Sequence, residues 1–127
     1  MITLCPAPAD YGIRFVRTDQ PLERAVVSAT WDLVETSPLC TKIINDAGVS
    51  VSTVEHVLAA LAGCGVHNAR IEIDGSEVPI LDGSARPFAL EILRHGIKNL
   101  DAPLSVLRIL REVKYQRGQA WAKLSPN

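Results

Sequence analysis

The chain has 127 residues, 47% hydrophobic and 21% charged, with 13 Lys+Arg against 14 Asp+Glu and a formal net charge of −1. This suits one soluble domain with a real core. It leaves no electrostatic footprint for nucleic acid, and no apolar run approaches the ~20 residues of a membrane span.

Met1 to Pro8 has neither a basic n-region nor a long apolar h-region, so it does not read as a signal peptide and the default location is cytoplasmic. Cys5, Cys40 and Cys64 are odd in number and widely spaced, with no C-x-x-C. That argues against a disulfide framework or a thiolate zinc site, and buried free thiols are expected. Arg108, Arg111, Lys114 and Arg117 form the densest basic group; they lie in a strand-like stretch and read as a solvated face.

The first third reads as strands. Ile13, Phe15 and Arg17 alternate with Arg14 and Val16, and Leu39 to Ile44 is rich in Thr and Ile. Asn45-Asp46-Ala47-Gly48 is a turn, after which Val49-Ser50-Val51 returns as a hairpin partner. The period then changes. Val54, Val57, Leu58 and Leu61 fall on one helix face, Ser52 and Glu55 have the spacing of a capping box, and Gly63 and Gly65 end the helix. Ala69 to Asp74 is a strand with Ala69, Ile71 and Ile73 on one side. Gly75 to Gly83 is a loop. Ser84 caps a second helix carrying Phe88, Ala89, Ile92 and Leu93, and Gly96 stops it. Val106 to Tyr115 and Gln119 to Leu124 read as two strands joined by Gln116-Arg117-Gly118. The order predicts an α+β fold, a two-layer sandwich of a mostly antiparallel or mixed β-sheet packed on two α-helices.

The first helix lacks the charged outer face of a surface helix. Opposite its large apolar residues stand Glu55, His56, Ala59, Ala60 and Gly63, so something is expected to cover that side. Glu-His at a helix start suits metal hydrolysis, in which His holds the ion and the carboxylate takes a proton from water. The bland alternative is that Glu55 only caps the helix and His56 is a packed or exposed histidine. His67 in a turn and His95 before Gly96 do not complete a metal site at sensible spacing. Asp82 and Ser84 read as turn and helix-cap residues; there is no G-x-S-x-G, P-loop or G-x-G-x-x-G.

Several segments together resemble one family: Ser52-Thr53-Val54-Glu55-His56, Ala59-Ala60-Leu61-Ala62-Gly63, Asn68-Ala69, Glu77 through Ala85, and Pro87-Phe88. Pro6-Ala7-Pro8-Ala9 with Gly12, and Leu39-Cys40-Thr41, extend the likeness over nearly the whole chain. The family is UDP-3-O-acyl-N-acetylglucosamine deacetylase, the zinc enzyme of the committed step of lipid A synthesis. The resemblance implies two similar domains, each a sheet layered on two helices, with the active site between them. It further implies Glu55 as general base, His56 as a zinc ligand, and Leu39 and Cys40 as lining the substrate pocket. The substrate would be a UDP-sugar lipid, and the products acetate and a free amine.

The departures are equally specific. In that family an H-x-x-x-D motif of the second domain supplies the other zinc ligands, and that domain also brings a catalytic His and Lys. None of these is present in the 127 residues. Residues 1–103 are expected to be the N-terminal deacetylase domain without its first strand, and 104–127 to be strands leading into a second domain. With one of about three zinc ligands, the chain alone is expected to be inactive and to bind zinc weakly. Association through exposed C-terminal strands, or with a second-domain chain, is expected. The alternatives are a non-catalytic homologue or interaction domain that keeps the fold without turnover, and an unrelated binding domain with Glu55 as a plain cap.

Overall fold

A computed structural model describes residues 1–127. The elements in chain order are strands β1 (Ile2–Pro6), β2 (Ile13–Arg17) and β3 (Val26–Ser28), a short 3-10 turn (Trp31–Leu33), then β4 (Val34–Glu35), β5 (Lys42–Ile44) and β6 (Ser50–Val51). Helix α1 (Glu55–Gly63), β7 (Ala69–Ile73), helix α2 (Arg86–His95), β8 (Val113–Arg117) and β9 (Ala120–Leu124) follow.

The alternating residues build the main sheet, ordered β1-β7-β2-β3. It is mixed: β2 runs parallel to β7, and the other pairs are antiparallel. A parallel pair needs a long crossover, and here that crossover holds everything from β3 to α1. Period 2 turns Phe15, Val27, Ile71 and Ile73 toward one side, where they meet Val57 and Leu61 of α1 and Phe88 and Ile92 of α2 in one buried cluster. Each fully buried side chain of this kind stabilises the fold by about 1.5–3 kcal/mol. The fold is α+β, as expected.

Arg17 continues the inward face of β2, and only 7% of it is exposed. Burying a guanidinium is tolerable only with its donors satisfied. Its Nε and Nη2 donate to the two carboxylate oxygens of Asp19 at 2.8 and 2.6 Å, and Nη1 donates to the Ser50 carbonyl at 2.7 Å. This joins the end of β2 to the start of β6.

The smaller sheet, β4-β5-β6, contains the expected hairpin. Gly48 takes φ +77° in its turn, and the Asn45 side chain accepts the Val49 N–H at 2.9 Å. The strand expected over Leu39–Ile44 is regular only from Lys42, because Leu39 and Cys40 lie in a bend. Gly96 stops α2 with φ +83°, as expected.

The capping box is not formed. Ser52 sits in a bridge to Glu77, Val54 occupies the cap position, and no side chain caps α1. The thiols are also corrected: Cys5, Cys40 and Cys64 are free, but each is half-buried rather than buried. At the C-terminus the strand starts at Val113 rather than Val106, and the turn falls at Gly118-Gln119. Residues 106–112 have no neighbouring strand to pair with. Every residue of β8 and β9 is exposed, and these strands pair only with each other. No helix is long and apolar enough to cross a membrane.

Candidate active site

The path into α1 is sharply bent. Strand β6 ends at Val51. Ser52 then donates its N–H to the Ser76 carbonyl at 2.8 Å and accepts the Val78 N–H at 3.0 Å. Thr53 follows at φ +59°, and it is 5% exposed. A β-branched residue in the left-handed region is an outlier that costs on the order of 1–3 kcal/mol and persists only where its surroundings hold it. The Thr53 hydroxyl donates to Glu77 Oε1 at 2.7 Å. Val54, fully buried, donates its N–H to the Thr41 carbonyl at 3.2 Å, and the helix begins at the next residue.

Glu55 is therefore the first helical residue, where the helix dipole favours a carboxylate. Its Oε2 accepts the Thr41 N–H at 2.9 Å. The carboxylate ties α1 to the loop before β5 instead of closing a box with Ser52. Oε1 has no hydrogen-bond partner in the chain.

The same loop carries Leu39 and Cys40. Leu39 is 94% exposed, and Cys40 is half-buried with its Sγ 3.3 Å from Ser37 Oγ. The hydrogen bond to Ser37, and after it those to Thr53, hold the Cys40 thiol below the ordinary thiol range, against desolvation and the nearby Glu55 charge.

His56 is half-buried, and its Nδ1 is buried without a hydrogen-bond partner. Buried polar atoms are nearly always satisfied, so an orphaned imidazole nitrogen calls for a partner from outside. A metal ion fits such a nitrogen, since neutral imidazole is a common zinc donor. The chain has no group of three His, Cys, Asp or Glu residues placed to hold a metal ion, so these residues do not assemble a full ligand set.

The outer face of α1 is small and uncovered. Ala59, Ala62 and Gly63 are exposed, and a methyl group built on Gly63 would meet nothing within 4 Å. Ala60 is a correction to the expected face. It is 2% exposed and belongs to the core, lying about 60° around the helix from Val57 at 100° per residue.

His67 and His95 are exposed and line a different space. This cavity, about 1150 Å³, lies between β1, α2 and the irregular segment 96–105, with Leu4, Phe88 and Leu104 on its walls. Glu55, His56, Leu39 and Cys40 are not part of it. Asp82 and Ser84 shape the turn before α2: Asp82 Oδ1 accepts the Ser84 N–H and hydroxyl at 3.0 and 2.8 Å, and Ser84 Oγ accepts the Arg86 N–H at 3.2 Å, but Ala85 rather than Ser84 holds the cap position.

Sequence reasoning placed Glu55 and His56 on one helix start but missed the Thr41 amide that binds Glu55 and the Thr53–Glu77 hydrogen bond just before the helix. A main-chain donor leaves no signature in sequence, and Thr before a helix signals a cap rather than a left-handed kink.

Comparison with known proteins identifies the family of the chain. The family model of UDP-3-O-acyl N-acetylglycosamine deacetylase matches residues 1–127. A UDP-3-O-acyl-N-acetylglucosamine deacetylase from Shewanella frigidimarina is 46% identical over 128 residues, covering 98% of this chain and 41% of the relative. One from Shewanella oneidensis is 44% identical over 125 residues, covering 98% of this chain and 40% of the relative. The chain thus spans about two fifths of the length of these curated relatives. With the match running over all 127 residues, including the kinked entry to α1 and both helices, the chain belongs to the UDP-3-O-acyl N-acetylglycosamine deacetylase family.

Proposed function

We propose that the chain supplies the base-bearing half of a zinc-dependent deacetylase of the cytosol. That enzyme removes the N-acetyl group of UDP-3-O-acyl-N-acetylglucosamine in lipid A synthesis. One observation carries the reading: Glu55 and His56 open the same helix beside an uncovered small-residue face, with one Glu55 oxygen fixed by the Thr41 amide. His56 would give one zinc ligand, and the remaining ligands would come from polypeptide beyond these residues, which would also cover Ala59, Ala62 and Gly63. When bound, zinc polarises the acetamide carbonyl and lowers the pKa of water.

The chain's own part is proton handling and shape. Glu55 Oε1 takes a proton from the attacking water and returns it to the departing amine nitrogen, leaving acetate and a free amine. Thr41 keeps the other oxygen from swinging away. The exposed Leu39 and the half-buried Cys40, on the loop that Glu55 grips, would border the substrate.

The test is a chimera in which residues 1–127 replace the matching segment of the Shewanella frigidimarina relative. The folded chimera is expected to deacetylate the UDP-sugar. Glu55→Gln is expected to lower kcat by about 10²–10⁴-fold while the protein stays folded. His56→Ala is expected to lower zinc content as well as activity. A folded chimera whose turnover is indifferent to both changes would refute the assignment.

A second reading, a fold retained for association without turnover, is favoured by the exposed β8–β9 hairpin. A folded but inactive chimera would select it.

A further inference from the structure

The left-handed Thr53 is gripped from two sides. Segment 76–78 holds the residue before it through two main-chain hydrogen bonds, and Thr41 holds the residue after it through one. Glu77 stands between the two main-chain bonds of segment 76–78, and its carboxylate meets the Thr53 hydroxyl at 2.7 Å. The main-chain bonds restrain the peptides on either side of Thr53. The side-chain bond is what acts on Thr53 itself. Its φ sets the direction in which the chain leaves for α1, and so where Glu55 meets Thr41 two residues later.

We infer that Glu77 and Thr53 form a positioning clamp for the Glu55–His56 pair, with the Glu77 carboxylate locking the Thr53 kink that aims the first turn of α1. The catalytic consequence rests on the reading of Glu55 as a base. The structural consequence does not, and it can be measured in the 127-residue chain alone.

Hydrogen exchange at the Thr41 amide reports whether Glu55 is in place, and Glu55→Ala calibrates the signal. Glu77→Ala is expected to speed exchange at Thr41 by about tenfold or more, with the Phe15 and Ile71 amides unchanged. Glu77→Gln is expected to restore protection, because its amide oxygen still accepts the Thr53 hydroxyl. Thr53→Val, which keeps the branch and loses the hydroxyl, is expected to behave like Glu77→Ala. Unchanged protection at Thr41 in both Glu77→Ala and Thr53→Val overturns the clamp. So does a uniform loss across all amides or outright unfolding, since the bond would then hold the domain rather than its helix start.

In the chimera, Glu77→Ala is expected to lower kcat about 10–100-fold with KM within about twofold, as for a misplaced group, and Glu77→Gln to recover most of it. If Glu55→Gln proves harmless there, the base assignment fails while the amide measurement still decides the clamp.

Discussion

Replacing Phe15 with alanine tests whether the sheet–helix core is drawn correctly. Phe15 is 0% exposed and lies in β2, opposite Ile71 of β7 and Val27 of β3. Its ring sits in the cluster that joins both helices to the sheet, so little can collapse into the space it leaves. Removing a buried aromatic from such a place costs about 3–5 kcal/mol, transfer and cavity together. That is a large share of the ~5–15 kcal/mol by which domains are stable. With a urea slope of about 1–3 kcal/mol per molar, the midpoint should fall by at least about 1 M, and the variant will be partly unfolded if the parent is marginal. The control is Trp31→Ala. Trp31 is larger but 89% exposed, so its loss should move stability by no more than about 0.5 kcal/mol. Equal midpoints for the two variants would refute the burial argument, because hydrophobicity alone ranks them the other way.

The Asp19 carboxyl is held at about 2, against an ordinary 3.8, chiefly by the hydrogen bond from Arg17 and against desolvation. A depressed folded value means the stabilisation is full above about pH 5 and drains as pH falls through 3.8 toward 2. The urea midpoint of Asp19→Asn should therefore depend less on pH over that window than the parent's. Cys40, its thiol held low by Ser37, should react with iodoacetamide before Cys5 and Cys64, and Ser37→Ala should slow it; mass mapping of the labelled peptides decides. Zinc titrated into the 127-residue chain should show no tight site, and one tightly held zinc per chain would overturn the single-donor account. Trp121 is 62% exposed on a hairpin that pairs with nothing else. Trp121→Ser should reduce concentration-dependent association in sedimentation without shifting the urea midpoint.

Much of the fold was legible because it rests on local periodicity. The alternation over Ile13–Arg17 and Ala69–Ile73, the helical spacing of Val57 and Leu61, and the stop at Gly96 are properties of neighbours in sequence, and each forms where expected. Even the odd placement of Arg17 on the inward face followed from period 2. The pairing of Glu55 with His56 was visible for the same reason, as were the small residues beside them.

What tertiary structure alone decided are contacts between residues far apart in the chain. The Glu55 carboxylate binds the amide of Thr41, fourteen positions earlier, and so cannot serve as the cap that its spacing to Ser52 suggested. Thr53 adopts a torsion its own chemistry disfavours while its hydroxyl donates to Glu77, twenty-four positions on. Ala60 joins the core because neighbouring elements close over that arc of the helix, while Ala59 and Gly63 stay open because nothing in the chain reaches them. The residues at the helix start were named by sequence, and their aim was set by loops whose arrival no local pattern encodes.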